Sequence, residues 1–200
     1  MANKDVRFGL KAVDHNGGDY TGPTRLYFAP SGYATDLFIG DPVTLTSTSN
    51  TAVVRDHGIG TLPEINTTSV GTGSQISAVV VGIEPINQDS AVYGVASTER
   101  IMHCVDDPNI WYEIQVDGAL ASTDIGLNGS LKAAHSGSTV TGMSGYELDS
   151  GTTDTLATTA AFQLKIMRAV DRSDNDLTLI HNKVIVLINQ HSGANATAGL

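Results

Sequence analysis

The residues with the widest chemical reach in this sequence are six histidines and one cysteine, which elsewhere serve as metal ligands, bases or nucleophile partners. Such chemistry needs set spacings: CxxC or HxH for a structural metal, HExxH for a catalytic one. His15, His57, His103, His135, His181 and His191 stand singly and match none of these. His103 and Cys104 are adjacent, but neighbouring side chains on a strand point to opposite faces, so they do not make a dyad. Cys104 reads as a small buried apolar group. The run Asp171-Arg172-Ser173-Asp174-Asn175-Asp176 alternates oxygen donors in the manner of a calcium loop. The EF-hand pattern then requires Gly at its sixth position and Glu at its twelfth, where this chain has Asp176 and Asn182. A solvated turn is the better reading of 171–176, with a low-affinity cation site as the alternative.

Carboxylate pairs for glycoside hydrolysis would have to come from Glu84, Glu99, Glu113 and Glu147, and nothing marks any two of them as facing each other. GxSxG, Walker A and GxGxxG patterns are missing. Gly58-Ile59-Gly60 and Gly71-Thr72-Gly73 lack the residues that complete a phosphate loop. The sequons at Asn66, Asn128 and Asn195 read as loops without a secretory route. The expectation is a protein with no catalytic residue, metal, cofactor or small-molecule substrate.

The elements around these residues read as strands. Residues 5–12 alternate strictly, with Val6, Phe8, Leu10 and Ala12 apolar between polar or small neighbours. Asn16-Gly17-Gly18 supplies a tight turn. Further strands are expected at 24–29, 36–45 (broken at Gly40-Asp41-Pro42), 51–55, 76–83, 91–96, 100–105, 110–117, 161–170 and 183–189. Within 110–117 one face carries Ile110, Tyr112 and Ile114 and the other Trp111, Glu113 and Gln115. Trp111 is then either part of a second core layer or an interface anchor. Stretches rich in Gly, Ser and Thr at 46–51, 66–74 and 134–159 read as long polar loops, and the best helix candidate is a short turn near 173–180. The fold expected is all-β: a single-domain β-sandwich, jelly-roll-like, or a β-barrel. It is divided into an N-terminal arm or strand at 1–23, a β domain at 24–190 and a flexible tail at 191–200.

Of the 200 residues only 16% are charged, with a net charge of −10 and a pI near 4.8. An acidic chain repels phosphate backbones, so nucleic acid is not an expected partner. No apolar run reaches the ~20 residues that cross a bilayer, and residues 1–5 do not read as a signal peptide. With a single cysteine, synthesis in a reducing cytoplasm is expected. Charge is uneven: residues 1–25 hold Lys4, Arg7, Lys11 and Arg25 against Asp5, Asp14 and Asp19. That arrangement suits a mildly basic arm on an acidic body.

Several strings, taken in order, resemble the decoration or cement proteins of tailed-phage heads. They begin with Met1-Ala2-Asn3-Lys4-Asp5-Val6-Arg7-Phe8-Gly9-Leu10-Lys11, then Phe38-Ile39-Gly40-Asp41-Pro42-Val43 and Val79-Val80-Val81-Gly82-Ile83-Glu84-Pro85. Asp106-Asp107-Pro108, Glu113-Ile114-Gln115-Val116-Asp117 and Asp124-Ile125-Gly126-Leu127-Asn128 come next, and the series closes with Ser144-Gly145-Tyr146-Glu147-Leu148-Asp149 and Leu164 to Arg172. The resemblance implies a structural virion protein, made in the host cytoplasm, that binds the capsid exterior as homotrimers and clamps the major capsid protein. On that reading Val6, Arg7, Phe8, Leu10, Lys11 and Trp111 are the candidate capsid or inter-subunit contacts, the first five as an arm that extends a neighbour's sheet. The competing readings are a tail or receptor-binding component of the virion and a lectin-like or hydrolytic all-β module.

Overall fold

A computed structural model of the chain describes residues 3–22, 24–50, 61–151 and 154–194. The chain is all-β. Five strands, β3 (Arg25–Ala29), β4 (Pro42–Asn50), β5 (Leu62–Thr67), β6 (Ala78–Ile83) and β7 (Arg100–Val105), close into a barrel in the order β3-β5-β4-β6-β7. A six-stranded sheet is laid on it. Its order is β2-β1-β8-β13-β12-β9, from β1 (Lys11–His15), β2 (Gly18–Asp19), β8 (Ile110–Gln115), β9 (Asn128–Gly129), β12 (Leu164–Ala169) and β13 (Lys183–Ile188). A two-residue pair, β10 (Leu131–Lys132) with β11 (Glu147–Leu148), completes the ladders. The chain thus combines parts of both expected architectures, a closed barrel and a packed sheet.

The period of two explains where the core lies. In β6 and β7, Ala78, Val80, Met102 and Cys104 fill the barrel with Tyr27, Leu37, Val43 and Ile65. Their neighbours Val79 and Val105 point out of the barrel into a larger core, where they meet Ile110, Tyr112 and Ile114 of β8, Val184 and Val186 of β13, and Leu164 and Ile166 of β12. Each fully buried aliphatic side chain is worth about 1.5–3 kcal/mol, so this shared layer fastens sheet to barrel. No helix among the described residues is long and apolar enough to cross a membrane.

Strands 24–29, 76–83, 100–105, 110–117, 161–170 and 183–189 form close to the expected positions. Others differ. Alternation at 5–12 does not make a strand until Lys11, because Gly9 turns the chain at φ +64° and Leu10 donates its N–H to Gly40 O at 2.9 Å outside any ladder. The stretch 36–45 resolves into single bridges at Leu37 and Ile39, followed by β4 starting at Pro42. β4 then runs to Asn50 and pairs with β5, so the expected loop at 46–51 is strand through Asn50, whereas 66–74 is loop once β5 ends at Thr67. Thr and Ser suit a half-exposed ladder as well as they suit a loop. Residues 91–96 form turns with one bridge, Gly94 to Leu37, and 173–180 is a series of turns without a helix. Two of the sequons stand on strands, Asn66 in β5 and Asn128 in β9. Within 134–159 the described residues are irregular apart from β11 but anchored, with Ser144, Glu147, Leu148 and Asp149 buried. His191, at the start of the expected tail, is buried and bridges Ile76. The strand expected at 51–55, His57, Gly58-Ile59-Gly60 and the tail at 195–200 lie outside the described residues.

Candidate functional site

Residues 3–10 enter no ladder and run as a strap over the end of the six-stranded sheet. Polar groups hold the strap. Asn3 Nδ2 donates to the carbonyls of Asp176 (2.7 Å) and Ile180 (3.0 Å), while Asn3 Oδ1 accepts the Asp176 N–H at 2.7 Å. Lys183 Nζ donates to the Lys4 carbonyl at 2.9 Å. Gln115, wholly buried at the end of β8, accepts the Val6 N–H at 2.8 Å and donates through Nε2 to Asp5 Oδ1 at 2.8 Å. That hydrogen bond, with Arg7 and His181 beside it, holds the Asp5 carboxyl below the usual carboxylate range.

Gln115 Nε2 also donates to Glu147 Oε1 at 2.6 Å and stands 3.5 Å from His181 Nδ1. Asp5, Glu147 and His181 bring their ligand atoms within 4.8 Å of one another, the one such set among the described residues. The metal reading fails on the amide. Gln115 Oε1 is committed to Val6, so the NH2 end faces the carboxylates and fills the focus where a cation would sit. The cluster is a latch on the strap, and the neutral amide takes the place of a counter-ion.

The candidate contacts fall in three places. Val6 and Arg7 are exposed on the strap, and Arg7 pairs with Asp5 at 2.8 Å. Phe8 is half-buried on an apolar groove of about 280 Å³ that it shares with Leu10, Ile39, Val80 and Met143. Leu10 is 1% exposed and belongs to this chain's own core. Lys11 opens β1, opposite Glu113 of β8. Trp111 is half-buried on the outward face of the sheet, away from the core that holds Tyr112. Beside the groove, the 138–143 turn packs on Val92 through Gly142 and exposes Val140 and Met143. Strap and turn therefore form one partly apolar rim, which the sequence did not indicate because 134–159 reads as polar loop.

Other titratable groups lie away from the strap latch. His103 lies 3.0 Å from Glu84, and His15 lies 3.2 Å from Asp107. Burial pushes the Cys104 thiol up and the His191 imidazole down. Asp41, 2% exposed, caps the Phe38 N–H at 2.8 Å and is pushed up to about 6 by burial. It lines, with Asp36, His135 and Tyr146, an open cleft of about 630 Å³. In the 171–176 turn, Arg172 pairs with Glu113 at 2.5 Å and the Asp176 carboxylate accepts from Thr178.

No family model matches the chain, and no curated protein or solved structure matches it.

Proposed function

We propose that the chain is a structural protein of a tailed-phage head, binding the outer surface of the capsid as homotrimers and stabilising the shell. The ordered resemblance along most of the sequence supplies the partner. The structural observation that carries the reading is the strap, a segment that keeps Val6 and Arg7 exposed and is held by polar bonds at residues 3–6 before Leu10 enters the core. Such a segment presents side chains and backbone to a neighbour while the core of its own chain stays closed. Low charge and abundant Ser, Thr and Asn suit a surface that is covered on assembly, since these groups are cheaper to desolvate than ions.

Quantitative mass spectrometry of purified particles tests the reading by counting this chain against the major shell protein. Near parity supports decoration; a ratio far below parity assigns the chain to the tail, and absence from particles overturns the proposal. A second arm removes residues 2–7. Leu10 belongs to the core, so the truncation stops short of it, and the trimmed chain is expected to remain folded and to bind heads more weakly. Unchanged binding removes the strap from the interface.

A further inference from the structure

The cross-strand register gathers on the outward face of the six-stranded sheet side chains that are far apart in sequence. Lys11 and Trp111 come from β1 and β8, Leu187 from β13, and Lys165 and Arg168 from β12. Arg172 reaches over the same face to Glu113. Three of the chain's eleven Lys and Arg side chains, Lys11, Lys165 and Arg168, stand open on this face, while Lys183, opposite Gln115, is buried and holds the Lys4 carbonyl. Among the described acids there, Asp14 lies opposite Trp111, Glu113 and Asp174 flank Arg172, and Asp5 and Glu147 meet Gln115 at the strap end. Lys11, Lys165 and Arg168 are exposed and form no ion pair among the described residues. In a chain of net charge −10, the open part of the face, Lys11, Lys165 and Arg168 against Asp14, carries a local excess of positive charge. Trp111 and Leu187, facing each other across the ladder, give it an apolar centre.

The opposite charge sits at the barrel. The connection 84–99 between β6 and β7 carries Glu84, Asp89 and Glu99 and contains no Lys or Arg, and it exposes Ile86 and Val92. Asp36 is fastened to the same connection, accepting the Ala96 N–H at 2.8 Å. The sheet packs on the barrel through its inner face, with Val79 and Val105 in that layer. The cationic face therefore looks away from the barrel of its own molecule and can meet an acidic barrel end only on another molecule.

We infer that the outward sheet face, centred on Trp111, is a self-association surface that docks on the acidic 84–99 end of the barrel of a second copy. The contact is heterologous, one face on a different face, and such contacts close into rings when the rotation permits. Charged rims of this kind set orientation and on-rate, and Trp and Arg are among the residues most enriched at interface centres. The inference rests on the assembly role proposed above for its setting, but it is measured on the free chain without heads.

The experiment is light scattering after size exclusion on the purified full chain, with salt raised from about 0.05 to about 0.5 M to shorten the screening length. Wild type is expected to associate, and to do so less at high salt. K165E/R168E, at two exposed positions, should weaken association about tenfold or more. D89K/E99K should do the same, and the chain carrying all four changes should recover it. The inference is overturned if K165E/R168E associates as wild type does, or if the four-fold variant folds but stays dissociated. A monomeric wild type that still binds heads overturns it and leaves the capsid role standing. Association without head binding has the reverse meaning. Loss of head binding by K165E/R168E with self-association intact would hand the face to an acidic shell protein instead.

Discussion

Replacing Gln115 by Glu changes one NH2 group to oxygen in a side chain that is wholly buried, between two carboxylates that both depend on that group. The wild-type amide donates to Asp5 Oδ1 and Glu147 Oε1. Q115E loses both donors and places a third carboxylate between two others, one of them, Glu147, only 2% exposed. Hydrogen bonds to charged acceptors are worth about 1.5–3 kcal/mol each, which sets the loss at roughly 3–6 kcal/mol. The site escapes part of this by binding a proton. Protonating a carboxyl of ordinary pKa ~4.3 at pH 7 costs about 3.7 kcal/mol, so the net loss at neutral pH should settle near 4 kcal/mol. The signs of the pH dependences then differ. In wild type the folded Asp5 pKa is lowered, so its contribution is present above the unfolded value of 3.8 and is lost as pH falls through the folded value. In Q115E the folded pKa of the cluster is raised, so stability is greatest below the unfolded value and falls with rising pH by about 1.4 kcal/mol per unit. Denaturant unfolding at pH 5, 6 and 7 (arbitrary settings, about one unit apart) measures the slope. Amide hydrogen exchange at residues 4–8 reports release of the strap. Wild-type stability in Q115E, or a deficit that does not shrink on acidification, would refute the latch.

Burial along the strap and beneath the barrel rim sets two further outcomes. L10A should cost about 2–5 kcal/mol, because Leu10 is 1% exposed between sheet and barrel, while V6A, at an exposed position, should stay within about 0.5 kcal/mol; equal effects in a denaturant titration would contradict the docking of residue 10. Asp41 has a folded pKa raised to about 6 from 3.8, so its contribution is complete below 3.8 and falls by roughly 3 kcal/mol as pH rises to 6. D41N keeps an acceptor for the Phe38 N–H and should flatten that loss, which thermal unfolding across the same range reads directly.

Much of the β framework was legible because burial enforces a period of two. β8, β12 and β13 have one face in the core, and their alternation survives in the sequence as Ile110, Tyr112, Ile114 and Val184, Val186, Ile188. β5 and the second half of β4 were not legible: Thr44 to Asn50 is half-exposed, and its Ser and Thr carry the same composition as a loop. The strap misled in the opposite direction. Val6, Phe8 and Leu10 alternate as a strand would, yet alternation records which side chains are dry and says nothing of whether the backbone has a ladder partner. Gly9 at positive φ decides that question, and a glycine in sequence does not declare its φ. Gln115 gave no signal at all, since a neutral amide in a strand is ordinary until Asp5 and Glu147 are brought to either side of it. The cationic face was equally hidden, because Lys11 and Lys165 come to share one face only through the β1-β8-β13-β12 order.

The two proposed contact surfaces are built from different forces, and this separates their behaviour. The strap latch uses Gln115 and Glu147, both buried, with one end of each bond out of solvent. Salt screens such bonds little. The sheet face uses Lys11, Lys165 and Arg168, all exposed, and its attraction for an acidic barrel acts through water, where the screening length falls from ~10 Å at 0.1 M to ~3 Å at 1 M. Copies joined by the sheet face should therefore part in salt while each strap stays seated, whereas acid weakens the strap itself, because the lowered folded pKa of Asp5 means that its bond to Gln115 is lost as pH falls through that value.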